Sequence, residues 1–155
     1  MEAQMQTFVP FLTFPKCAQA LDRQRLGKQR VETLQILKTL DPTCNKRGWI
    51  NHPAVQMWQG YEAALALYGL AMVKEWTDRG YNDIKCGPQL EAYLDYHLDV
   101  RPPEEADLPW WWGDDRVHIS HQSRLIQKLD SHYRPLFPVG TPDNLPYFWP
   151  MRGDK

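Results

Sequence analysis

The chain has 155 residues, 43% of them hydrophobic and 24% charged, with a formal net charge of −1. A chain of this size reads as one domain over 1–155 that buries roughly two thirds of its unfolded surface, and the near-zero charge excludes a protein that grips nucleic acid over its whole surface. Its cysteines, Cys17, Cys44 and Cys86, are odd in number and lack CxxC spacing, which argues against a disulfide framework or a cysteine zinc site and fits a reducing cytoplasm.

After an N-terminal segment (1–12) without the pattern of a signal peptide, Thr13-Phe14-Pro15 reads as a capped helix start with Pro in the first turn. Periodicity predicts helix to about Leu40, bent or broken at Gly27, and Asp41-Pro42 stops it. Asn51-His52-Pro53 marks a second start. Helical pattern then runs to Arg79, with Gly80 as the residue past the end. A shorter helix is predicted over 88–98. Residues 101–113 form a Pro-rich acidic loop that includes Trp110, Trp111 and Trp112, which either close the core or leave a ring exposed for stacking. Asp114 or Asp115 caps a last helix to about Leu129. The tail that follows, irregular over 139–155, holds too much Pro for a helix and is expected to wrap the core with its aromatics inward. No apolar run is long enough to span a membrane. The expected fold is all-α, a compact domain around a long buried central helix.

The charges are unevenly placed. Residues 1–49 hold eight basic against four acidic side chains, and residues 99–115 hold six acids against Arg101. In "RQRLGKQRV" lie Arg23, Arg25, Lys28 and Arg30. On a helical wheel Val31, Leu34, Leu37 and Leu40 make one stripe, with Arg30, and Arg23 seven residues earlier, on the same side. Lys28 and Glu32 fall opposite. An inward guanidinium needs an acid, carbonyls or a bound anion, so Arg23 and Arg30 are expected either to pair with structural acids or to converge on phosphate. Glu62 stands in an almost wholly apolar helix. It reads as a strut to one of those arginines or as an acid–base carboxylate at the floor of a basic pocket. His118, His121, Arg124 and Lys128 share a face of the last helix. That face suits phosphate contact; two histidines without a third ligand make metal the minor reading, and no metal or cofactor is expected.

Two blocks carry a resemblance. Residues 52–81, "HPAVQMWQGYEAALALYGLAMVKEWTDRGY", and residues 120–138, "SHQSRLIQKLDSHYRPLFP", resemble the central helix and the final helix with its aromatic segment in the pyrimidine-dimer DNA glycosylase/abasic-site lyase family, the phage-type endonuclease V fold. "RQRLGKQRV" sits where that family has its Arg-rich first helix against DNA. The resemblance implies cleavage of the glycosidic bond of a damaged or modified base in duplex DNA. It implies attack by the α-amine of a small residue exposed by Met removal, assisted by a first-helix Glu. Here residue 2 is Glu, "MEAQ" precedes the family-like "MQTF" so that a start at Met5 would expose Gln6, and alignment on Leu26 puts Arg25 at the place of that Glu. Asp22 and Glu62 are then the candidate carboxylates and Lys28 a candidate amine, with Arg23, Arg25, Lys28, Arg30, His118, His121 and Arg124 as candidate DNA or phosphate ligands. A DNA-binding relative without catalysis, an enzyme of a small nucleotide, and metal-dependent hydrolysis through His118 and His121 are the competing readings.

Overall fold

The computed structural model describes residues 6–43, 48–100 and 107–151. These residues contain no strand. They form α1 (Phe14–Ala20), α2 (Arg23–Leu40), α3 (Pro53–Gln56), α4 (Glu62–Asp78), α5 (Cys86–Val100), α6 (Asp115–Lys128) and α7 (Asp130–Tyr133), followed by one 3-10 turn, Arg134–Leu136. None of these helices is long and apolar enough to cross a membrane. The fold is all-helical, with α4 packed against α1, α2 and α5.

Local chemistry sets several boundaries. The Thr13 hydroxyl accepts from Lys16 N, the His52 ring from Ala54 N, and the Asp114 carboxylate from Arg116 N. At the end of α4, Gly80 has φ of 96°. Its N–H donates to Thr77 O at 2.9 Å and Tyr81 N–H to Trp76 O at 3.2 Å, while the Trp76 and Tyr81 rings pack with centroids 4.4 Å apart. This is the paired closing bond of a Schellman end with its apolar contact.

Two expected helices are interrupted. The first breaks at Leu21-Asp22 instead of Gly27. Arg79 donates to the carbonyls of Ala18, Gln19 and Leu21, and the backbone N–H of Asp22 donates to the Tyr133 hydroxyl. Gly27 lies inside α2, where an added Cβ would come within 3.0 Å of the Trp76 ring. It therefore serves close packing and not a bend. The central helix is split by a turn ending at Gly60, whose φ of 91° disfavours any side chain. Glu62 becomes the first residue of α4, not a mid-helix acid.

The buried face of α2 also differs from the expected stripe. Val31 is exposed, and Leu26, Gln29, Thr33, Ile36, Leu37 and Leu40 face inward with Leu34. Polar Gln29 and Thr33 occupy core positions because Gln29 is consumed by hydrogen bonds to the N-terminal segment and Thr33 lies against Gly69. Trp111 is fully buried and donates to Met57 O at 2.9 Å. Trp110 and Trp112 pack half-buried on the core, so the three rings close it. The tail does wrap the core, yet it begins with the short α7, which the Pro content had argued against. It is then fastened to α6, where Phe148 N donates to Ser120 Oγ at 3.1 Å and Leu145 N to Ser123 Oγ at 3.0 Å.

Candidate active site

Residues 6–10 form an extended strap between α2 and α6. Being buried and non-helical, its backbone must find side-chain partners. Phe8 N donates to Gln29 Oε1 at 3.1 Å and to the Tyr68 hydroxyl at 3.0 Å, and the Tyr68 hydroxyl donates to Phe8 O at 2.8 Å. Gln29 Nε2 holds Gln6 O at 2.9 Å. Val9 is gripped from both sides of its backbone. His121 Nδ1 accepts from Val9 N at 3.1 Å, and His118 Nδ1 lies 2.7 Å from Val9 O. His118 Nε2 accepts from Gly113 N, so its proton sits on Nδ1 and is donated to Val9; His121 has the opposite tautomer.

The strap delivers its first described residue to an acid. Gln6 N donates to Glu32 Oε2 at 2.7 Å. Partial burial raises the Glu32 carboxyl to about 7, against the pull of that hydrogen bond and of the Lys28 and Lys128 charges. The charges that act on it are Lys28 on α2 and Lys128 on α6, and Lys128 in turn feels Arg25 on α2 and Arg124 on its own helix. Burial lowers the Lys128 ammonium below its usual range, and repulsion from Arg25, Arg124 and Lys28 adds to this, with Glu32 opposing. The Arg124 guanidinium lies over the Tyr147 ring at 4.9 Å. The Tyr147 hydroxyl is pushed up to about 12, mainly by burial, with Arg124 and Arg25 pulling down and Glu32 pushing up. One half-buried carboxylate under two lysine charges, able to hold or release a proton near neutral pH, can do acid–base chemistry beside a bound anion.

The other sequence candidates are placed differently. Arg30 does not join Arg23 on an anion. It pairs with Asp83, a side chain only 2% exposed, and stacks on Trp76 at 4.4 Å. Asp83 also accepts from Gly87 N at the start of α5, so this ion pair ties α2 to α5. Arg23 is exposed at the first turn of α2. Asp22 bonds to Tyr133 and to Arg25 at 3.1 Å. Burial works to raise its carboxyl, but these partners hold it below the usual range, which unsuits it as a base. Glu62 is half-buried and forms neither the expected strut nor any other ion pair among the described residues; Arg30 has its acid elsewhere. Lys28 is exposed. His118 and His121 are buried, and each holds Val9 of the strap through Nδ1. Glu32 and Tyr147 were not singled out from sequence, and Lys128 was named only as one of four residues sharing the phosphate-suited face of the last helix. Their only signals were Lys28 and Glu32 one turn apart, and Lys128 in register with Arg124.

A structural role for Arg30 has a direct consequence. Arg30→Gln is expected to lower stability by about 3 kcal/mol, because it strands Asp83, and to leave the salt dependence of any DNA binding unchanged. Arg124→Gln is expected to do the reverse, reducing the log–log salt slope by about 1. Urea unfolding and fluorescence-anisotropy titrations at several salt concentrations read both.

The family model for pyrimidine dimer DNA glycosylases matches residues 5–85. The chain belongs to the pyrimidine dimer DNA glycosylase family. No curated protein and no solved structure matches it. The family match takes in the strap, α1 to α4 and Glu32, and ends before α5. Arg124 and Lys128 on α6 and Tyr147 in the tail lie beyond it, as does the resembling block at 120–138.

Proposed function

We propose that this family member acts on damaged or modified duplex DNA as an N-glycosylase with abasic-site lyase activity, and that Glu32 is its acid–base carboxylate. The observation that carries this reading is the Gln6 N to Glu32 contact at 2.7 Å, with the Lys28 and Lys128 charges acting on the same carboxylate. The family resemblance calls for an amine beside a carboxylate. Glu32, not the residue at the aligned position of Arg25, brings a carboxylate to the start of the strap. With its carboxyl raised to about 7, Glu32 exists in both protonation states near neutral pH. It can protonate a departing base and then accept a proton from the sugar. The cations are suited to phosphates on either side of the lesion.

The test is incubation of the full chain with duplexes carrying one abasic site or one pyrimidine dimer, followed on denaturing gels. Cleavage of at least one is expected, and intact strands in both refute the lyase reading. Arg25 at the aligned place of the family's carboxylate favours a second reading, a DNA-binding relative without chemistry. That reading predicts affinity falling steeply with salt and no cleavage.

A further inference from the structure

The end of α2 and one face of α5 border a cavity of about 340 Å³. Its wall carries Asp41, Pro42, Ala92, Tyr93, Tyr96 and His97. That volume is at the small end of the range for ligand sites. The cavity is separate from the Glu32 site, because Asp41 follows Glu32 by nine residues, about 14 Å along a helix. α5 begins past the stretch that the family model matches.

The rings in the wall form a corner. Tyr93 and His97 lie nearly parallel, at 16°, with centroids 6.4 Å apart. Tyr96 stands edge-on to His97, at 83° and 5.1 Å, and is 58% exposed, so much of its apolar area is left for an occupant. The polar element is Asp41. Its Oδ1 accepts from Thr43 N at 2.9 Å and from the Thr43 hydroxyl at 2.8 Å, and these bonds hold its carboxyl below the usual range. It is therefore charged at neutral pH. Among the described residues, its Oδ2 takes the Tyr93 hydroxyl at 3.5 Å and nothing nearer, so that oxygen can accept a further hydrogen bond. The surrounding charge has the same sign. α5 contributes Glu91, Asp95 and Asp99 and no Lys or Arg, with His97 its one basic group. Lys38, in the last turn of α2, is exposed. A charged carboxylate in an aromatic wall repels an anion and makes a neutral occupant bear its desolvation. A cation is attracted by the carboxylate and by the ring faces together.

We propose that this cavity binds a small organic ammonium ion, whose N–H groups donate to Asp41 Oδ2 while its apolar body lies against Tyr93 and Tyr96. The site does not depend on the lyase reading above.

The experiment is calorimetric titration of the full chain with three probes of one shape: 2-phenylethylammonium, neutral 2-phenylethanol and anionic phenylacetate. Saturable one-to-one binding of the ammonium is expected. The alcohol should bind about tenfold more weakly, having lost the ion pair and the cation–π attraction, and phenylacetate should not bind. Asp41→Asn keeps an amide oxygen for Thr43 and should weaken the ammonium about fivefold. Tyr96→Leu, at an exposed position, should weaken it about threefold. Glu91→Gln, outside the cavity wall, should stay within twofold. Amide NMR of the parent should place the shifts at residues 41–43 and 89–97 and leave the strap at 6–10 unmoved. No saturable ammonium binding, equal binding of the alcohol, an Asp41→Asn affinity within twofold of the parent, or shifts centred on the strap overturns the proposal. Each of these results leaves the abasic-site cleavage assay to be judged separately.

Discussion

Glu32→Gln is expected to slow cleavage of an abasic-site duplex by roughly 10²- to 10⁴-fold, the range by which a positioned proton-transfer group accelerates a reaction. The fold should not suffer. The Gln side chain has the same shape, and its carbonyl oxygen can still accept the Gln6 N–H that Glu32 holds at 2.7 Å. Burial makes the charged carboxylate the less favoured form, so its removal relieves a desolvation cost above pH 7. The variant should therefore melt no lower than the parent at pH 8. It should bind the duplex at least as tightly, since one negative charge has left the neighbourhood of Lys28 and Lys128. Loss of turnover with binding and melting retained is the signature of a proton-transfer group. The control is Glu62→Gln, at the first position of α4 and outside every described ion pair, which should stay within a few-fold of the parent. Equal activity of Glu32→Gln and parent would remove Glu32 from the mechanism.

How much of this was legible beforehand depends on the distance over which each feature is specified. The caps at Thr13, His52 and Asp114 and the glycine end at Gly80 are closed by partners within five residues, so the sequence displays them whole. The break at Leu21-Asp22 depends on Arg79 and Tyr133, which lie 58 and 111 positions further along the chain, and nothing near Asp22 announces it. Arg30 was correctly read as inward, but its acid, Asp83, is 53 positions away and an anion was an equal alternative. The Glu32 site was hidden for a related reason. Glu32 and Lys28 lie opposite the apolar residues of α2 and therefore read as a solvated face. The strap at residues 6–10 adds a layer on that side, and it has neither the 3.6-residue nor the two-residue period that would reveal it. Polar Gln29 in a core position was the one local sign that backbone without regular structure lay against α2.

Because the strap brings Gln6 to Glu32, whatever releases the strap dissolves the site, and His121 makes acid such a release. Burial, with a smaller contribution from the His118 charge, lowers its imidazolium from 6.5 to about 3. A proton on Nδ1 would face the Val9 N–H and break that bond. The folded state thus resists a proton that the unfolded chain accepts. The stability that His121 contributes is complete above 6.5 and is lost as pH falls toward 3, at up to about 1.4 kcal/mol per pH unit. Glu32 acts in the opposite direction. Raised from 4.5 to about 7, it adds stability that is complete below 4.5 and is lost as pH rises through 7. Between 4.5 and 6.5 the two partly offset, so the histidine is best measured in the Glu32→Gln background. There, stability at pH 5 is expected to carry a loss from His121 of about 2 kcal/mol relative to pH 8. Adding His121→Asn puts an amide oxygen where Nδ1 accepts and removes the titration. It should cost about 1–3 kcal/mol at pH 8 through the lost ring and abolish that share of the acid loss, so that the two urea-unfolding curves converge as pH falls. Parallel pH dependences in the single and double variants would show that the strap is fastened against acid by something other than His121.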